Sequence, residues 1–529
     1  MLGMWPYFCR AALVRDTAGR VASLVRRHDG GGPLTSTYTY RSDGRLGRLV
    51  NPDGTHDFTY DSRGLMETQV VAGEGTYTYG YDVMGRSALL TYPDGHTRTQ
   101  VYDDLGRITS RCYEYSGPTT RCYGAQYDAV GNPTQMSDPE GSDTFLYDAL
   151  DRLKKVTRVA SGVTTIEDYA YNALGALKLN AGVTLDDQRP KLAGGGTADA
   201  AVPASVGGQP IVLDAGGRIT SLRGTTFKWV EDGTLREVDE PVPAVAETYG
   251  IDAHQRRYSR LLGGTVKEYY AYEGLDRVAT VGPNGADPIT GSGVAGAVLE
   301  SYLFDGIDHP LRIKTTSTTA YYELDLAGNV RELRASGGGS IGGYRYTAFG
   351  QTLEDTSSIT QSLRWKGRWF SPVAGGTYDV RARQWSPELG VFLSVDEFEY
   401  QDAKSTLWGW PNQNPIRYSD PQGRGYPSPE CIKRIRKGCE QGCKGACVAG
   451  ACVAACVAIA IADESSGAGG YCNDDKDRSK DIECSIKGNQ AQALCLSQGK
   501  DAATCAQVFA RVYATCMGIP FGPVPPGSH

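Results

Sequence analysis

The residues best equipped for chemistry crowd one end of this chain. Of 14 cysteines, only Cys9, Cys112 and Cys122 precede residue 425. The others are Cys431, Cys439, Cys443, Cys447, Cys452, Cys456, Cys472, Cys484, Cys495, Cys505 and Cys516. Thiols so placed either cross-link or bind a soft metal. Cys439, Cys443 and Cys447 are spaced by four, as are Cys452 and Cys456, and on a helix that spacing shares a face. Such a face suits stapling to a second helix, and the stretches AQALCLSQG and CAQVFARVYATC around Cys495, Cys505 and Cys516 read as that partner. No pair has the Cys-x-x-Cys spacing of zinc sites, and the only histidine beyond residue 425 is His529, so no metal is expected. The expectation is a disulfide-stapled helical domain formed in oxidising surroundings, with one odd thiol free or paired between chains.

Other chemistry in this tail is harder to build. Residues 445–462 run 18 residues without a charge behind Lys433, Arg434, Arg436, Lys437 and Lys444. That length sits at the lower edge for spanning a bilayer, and the run is rich in Ala and Cys, so a buried helix is favoured over membrane contact. No internal histidine is available as a nucleophile's base. Asp474, Asp475, Asp477, Asp481 and Glu483 alternate with Lys476, Arg478 and Lys480, the pattern of a solvated loop. Residues 520–529, PFGPVPPGSH, read as a flexible end.

What carries this tail is a different kind of sequence. The chain has 529 residues, more than one compact domain usually needs. A net charge of -7 offers no basic surface for nucleic acid. Gly is abundant (67) and Tyr (32) outnumbers Phe (11) and Met (6), a mixture suited to strands joined by many tight turns. The start, MLGMWPYFCRAALVRD, has neither the basic region nor the apolar run of a secretory signal. Periodic sequence begins almost at once, so the chain reads as the continuation of a longer protein.

The period is a phrase, Tyr-Asp-x-x-Gly-Arg, complete at Tyr81 and Tyr102 and with candidate copies at Tyr40 (YRSDGRL), Tyr60 (YDSRGLM), Tyr127 (YDAVGNP), Tyr147 (YDALDRL) and Tyr171 (YNALGAL), at intervals of 20 to 25 residues. Weaker echoes lie at Asp214–Arg218, Trp229–Leu235 and Tyr272–Arg277. Asp-x-x-Gly is a turn, because Asp bonds backbone N–H groups further on and Gly accepts positive φ. The flanking runs alternate as half-buried strands do. A second turn signal, Pro-Asp-Gly, appears at Pro52 and Pro93, giving two short strands per unit. Hairpins in series must stack to be stable. The Arg of each phrase is placed to pair with an Asp on a neighbouring hairpin, and the repeat residues read as architecture rather than catalysis.

The repeat resembles the YD repeat of Rhs proteins, of the insecticidal toxin-complex C components and of teneurins. From Tyr321 the chain reads YYELDLAGNVRELRASGGGSIGGYRYTAFGQTL, similar to the start of the Rhs repeat-associated core. RARQWSPELGVFLSVDEFEY (381–400) and LWGWPNQNPIRYSDPQG (407–423) are similar to that core's closing segments. The resemblance spans roughly residues 10 to 425. It implies a mainly β fold, a strip of β-hairpins spiralling into a hollow shell with the core as a plug. The expected organisation is a shell over 1–320, a core over 321–425, the cysteine-rich helical domain over 426–519 and the flexible end.

In much of that family the core is an aspartyl autoprotease that cuts just after its final Asp-Pro-x-Gly-Leu. By motif position the matching pair is Asp396 and Asp420, with the cleavage junction at Gly423 and Arg424. Two carboxylates that share a proton supply both a base for water and an acid for the leaving group. The chain departs from the pattern at Glu397 and Glu399, at Ser386 before Pro387, and at Arg424 where the family has Leu. The alternative reading is that both aspartates cap turns. The resemblance thus implies a carrier, secreted or at the cell surface, with its own tail as cargo, an immunity protein or secretion machinery as partners, and no cofactor. The competing reading is a structural or adhesive surface protein bearing a disulfide knob, with a cell-surface target.

Overall fold

The complete Tyr-Asp-x-x-Gly-Arg phrases at Tyr81 and Tyr102 fold into turns with the same set of bonds. In the copy at Asp82, carboxylate Oδ1 accepts the backbone N–H groups of Met84 and Arg86, both at 2.9 Å, and Oδ2 pairs with Arg86 Nε at 2.6 Å. Gly85 takes φ +80°, and the register slips at Gly80/Tyr81, so the hairpin closes through a tight turn followed by a bulge. The Arg86 guanidinium lies 4.4 Å from the ring centroid of Tyr102 in the next copy and donates Nη1 to the Asp103 carbonyl. The Tyr102 hydroxyl donates back to the Ser87 carbonyl at 2.8 Å. The next junction repeats the scheme, with Arg107 over Tyr127 and Tyr127 Oη donating to the Ile108 carbonyl.

This corrects the expected pairing. The arginine pairs with the aspartate of its own turn and reaches the neighbour through an aromatic face and a backbone oxygen. The turn brings Asp and Arg side by side, so the local partner is the nearer one. Copies that lack the full phrase fold the same way, at Asp16–Arg20 and Asp252–Arg256.

The computed structural model describes residues 10–423 apart from segments 28–32, 117–118, 174, 187–189, 198–199, 231–232, 242–243, 253–254, 284–295, 373–375 and 397–405. The chain divides into two units, 1–423 and 424–529. The proposed helical domain, its eleven cysteines, the run 445–462, the end 520–529 and Arg424 all lie outside the described residues.

Within the first unit the hairpins make two 15-stranded sheets. The first runs in chain order from Arg10–Arg15 to Val163–Asp168. The second runs from Lys191–Leu192 to Thr352–Asp355 and continues through Tyr321 without a break. A four-stranded sheet follows, Trp369–Ser371, Thr377–Val380, Arg383–Ser386 and Val391–Phe392. Among the described residues no helix is long and apolar enough to cross a membrane. Cys112 and Cys122 face each other on adjacent strands and form a disulfide.

The second sheet packs beside the first through polar and tyrosine contacts. Fully buried Glu323 accepts Tyr115 Oη and Tyr123 Oη, both at 2.9 Å, and Arg121 Nε at 2.8 Å. Arg331 reaches Asp138 at 2.7 Å, and buried Arg312 pairs with Asp53 at 2.9 Å. Tyrosine suits this role because its ring packs while its hydroxyl finds a partner, which accounts for its excess over Phe. The region after residue 345 has a denser aromatic core. Trp365, Trp385 and Trp410 are buried together with Phe349, Tyr378 and Phe392.

Candidate self-cleavage site

The closing segment 406–423 is threaded along the turns of the repeats. Trp408 Nε1 donates to the Gly217 carbonyl at 2.9 Å, Gln413 Nε2 to the Gly175 carbonyl at 3.1 Å, and Asn414 Nδ2 to the Asp151 carbonyl at 3.1 Å. Arg417 Nη1 reaches Asn132 Oδ1 at 3.0 Å. Four turns far apart in sequence thereby fix the run that leads to Asp420.

Asp396 and Asp420 meet on a single side chain. Arg383 Nη2 lies 2.8 Å from Asp396 Oδ2 and 3.0 Å from Asp420 Oδ2. Asp396 is anchored by its backbone N–H, which donates to the Leu407 carbonyl at 2.9 Å. Asp420 is fully buried. The same guanidinium donates Nε–H to the Gly423 carbonyl and Nη1–H to the Leu407 carbonyl at 3.1 Å, and its face stacks 3.7 Å from the Phe392 ring centroid. Arg383 thus uses its planar fork in four directions, a geometry that lysine does not reproduce.

Gly423 is held where no other residue fits. Its φ is +70°, and a Cβ there would lie 1.9 Å from the Val380 carbonyl oxygen. Ala382 N–H donates to the Gln422 carbonyl at 3.2 Å. Two further arginines grip the segment: Arg368 Nη2 donates to the Asp420 carbonyl at 2.7 Å, and Arg381 Nη1 donates to the Pro421 carbonyl. Arg368 and Arg381 both pair with Asp308, at 2.7 and 2.8 Å.

The chemistry this arrangement offers is hydrolysis of the bond that follows Gly423. A guanidinium N–H on the Gly423 carbonyl sits where negative charge develops when water adds to the carbon. Two carboxylates on the same guanidinium are available for proton transfer. The pair and Gly423 were legible from motif position; Arg368, Arg381 and Arg383 were not singled out. The available signal was the cluster of arginines at 381 and 383 within the closing motif, since buried arginines need partners.

Residues 8–173 match the family model described as Teneurin YD-shell. The structure aligns with the crystal structure of TcdB2-TccC3 at a TM-score of 0.62 and 16% identity, over 77% of this chain and 24% of that one. It aligns likewise with the Photorhabdus luminescens Tc holotoxin pore, at 0.61 and 16%, over 79% and 23%. At such identity these two show the fold alone. Residues 8–173 are thus of the teneurin YD-shell type, and the chain shares the fold of those Tc toxin structures. Among curated sequences this chain is 25% identical over 289 residues to the tRNA3(Ser)-specific nuclease WapA of Bacillus spizizenii, and 25% identical over 287 residues to the tRNA nuclease WapA of Bacillus subtilis. Those matches cover 53% and 52% of this chain but only 11% and 12% of the relatives' own length.

Proposed function

We propose that this chain is an Rhs-type carrier whose core cuts its own backbone after Gly423 and so separates the cysteine-rich tail as a toxin-class cargo. The observation that carries the reading is the convergence of Asp396, Asp420 and the Gly423 carbonyl on Arg383. Water adds its oxygen to the Gly423 carbonyl carbon and gives a proton to one carboxylate. Arg383 stabilises the charge on the carbonyl oxygen. The other carboxyl group, in its acid form, gives a proton to the Arg424 nitrogen as the peptide bond breaks. Secretion or display at a cell surface belongs to the same reading, and so does an immunity partner.

The test is the intact mass of purified full-length chain beside Asp420→Asn and Asp396→Asn. The expected result is a fragment ending at Gly423 in the parent and an uncut chain in both variants. An uncut parent supports a purely structural core instead.

A further inference from the structure

One of the repeat turns that lack the usual glycine lies beside this site. The turn Phe304–His309 has the usual backbone bond from Asp305 N–H to the His309 carbonyl at 2.9 Å. At the position where most copies place glycine it carries Asp308, at φ +62°, as the turns at Asp151 (φ +63°) and Gln255 (φ +61°) also carry a side chain. Asp is among the few residues that tolerate this region, yet glycine occupies it without cost.

The carboxylate that the substitution introduces points at the cut segment's clamps. Asp308 Oδ1 receives Arg368 Nη1 at 3.0 Å and Arg381 Nη2 at 2.8 Å; Oδ2 receives Arg368 Nη2 at 2.7 Å and Arg381 Nη1 at 3.2 Å. Asp276, at the end of the strand Asp276–Val281's turn, stands behind it. Asp276 Oδ1 accepts Arg381 Nη2 at 3.2 Å and the Asp308 backbone N–H at 3.3 Å. Through the same terminal nitrogens the two guanidiniums hold the carbonyls of Asp420 and Pro421. Neither Asp308 nor Asp276 touches the Gly423 carbonyl, so neither is catalytic.

We propose that Asp308 and Asp276 form a latch: through Arg368 and Arg381 they position the backbone of Asp420 and Pro421 for cleavage after Gly423 and hold the cut end in place afterwards. The latch rests on the self-cleavage reading for its purpose but not for its existence. It has a pH dependence. Burial and the neighbouring Asp308 charge push the Asp276 carboxyl up to about 6. The charged groups facing it are Asp308, Arg381 and Arg368, with Asp379 on the Arg381 side. The Asp276 charge that orients Arg381 is therefore present above pH 6 and lost as pH falls through that value.

The experiment uses the full chain with Asp308→Gly, which restores the residue the repeat prefers, and Asp276→Asn. Two quantities are read: the cleavage rate by mass, and hydrogen exchange of the backbone amides at Ala382 and Gly423. Asp308→Gly relieves the positive φ but takes the shared carboxylate away from two largely buried arginines, so it is expected to unfold at a lower temperature than the parent, to cut roughly tenfold to a hundredfold more slowly, as misplacement of reacting groups commonly causes, and to exchange faster at both amides under conditions where it is folded. The parent's cleavage rate should fall as pH drops through about 6, and Asp276→Asn should lack that limb. Unchanged exchange and parental cutting in Asp308→Gly would overturn the latch while leaving self-cleavage standing. Faster exchange in a chain whose parent never cuts would uphold the latch and remove self-cleavage. A pH limb that persists in Asp276→Asn would remove Asp276 from it.

Discussion

The repeat turns and the core site use the same ion pair to opposite ends. In the turn at Asp82 the partners are four residues apart, side chains about a third and a fifth exposed, one cation to one anion. In the core, Arg383 faces two carboxylates that come from separate loops of the closing segments, all three side chains at most a tenth exposed. A local, half-wet pair costs little to form and contributes little. A buried pair is costly to desolvate and worth more once its partner is removed. The difference teaches that an Asp–Arg pair is architecture when the turn brings it together, and a candidate site when the whole fold must do so.

The sharpest way to break that comparison is Arg383→Met. It leaves Asp396 and Asp420 buried without their cation, so a loss on the order of 3–5 kcal/mol is expected in denaturant unfolding, together with loss of the cut. A loss no larger than that of an exposed turn arginine would erase the distinction.

Next in size is a difference in the sign of pH dependence. The Arg86 backbone N–H and its side chain hold the Asp82 carboxyl below its usual range, so its contribution is full above that range and fades as pH falls. Asp276 is raised, so ionising it costs stability, and the cost builds as pH climbs from about 4 to about 6. Asp276→Asn should therefore raise the unfolding temperature at neutral pH, by up to about 3 kcal/mol in stability, and leave it unchanged near pH 4. Melting curves across that range check it.

Gly423→Ala is expected to cost about 1–3 kcal/mol through its collision with the Val380 carbonyl and to slow cleavage, whereas Ala at an exposed turn glycine such as Gly19, with nothing within 4 Å, costs only the strain of positive φ. The smallest effect is in the shell. A double-mutant cycle on Arg86→Ala and Tyr102→Leu should give a coupling of roughly 0.5–1 kcal/mol, the worth of an exposed cation–aromatic contact. A coupling near zero would mean that the stacked ring does not tie one repeat to the next.

The shell was legible because Tyr, Asp, Gly and Arg recur at fixed offsets and each has one task in the turn. The copy at Asp252 is not legible as a repeat because Gln255 occupies the glycine position, at φ +61°. The partner of the repeat arginine was misread because spacing shows which residues are near in sequence, not that a turn folds the fourth residue back onto the first. Asp396 and Asp420 were legible by resemblance. Arg383, Arg381 and Asp308 were not, because their meaning depends on carbonyls and carboxylates up to about a hundred residues away.

The most direct test of the central claim is to incubate the purified chain in heavy-oxygen water and map the new C-terminus by peptide mass. The account predicts a peptide ending at Gly423 that carries one heavy oxygen, present in the parent and absent from Asp420→Asn. A parent that stays intact, or is cut at another bond, would contradict it.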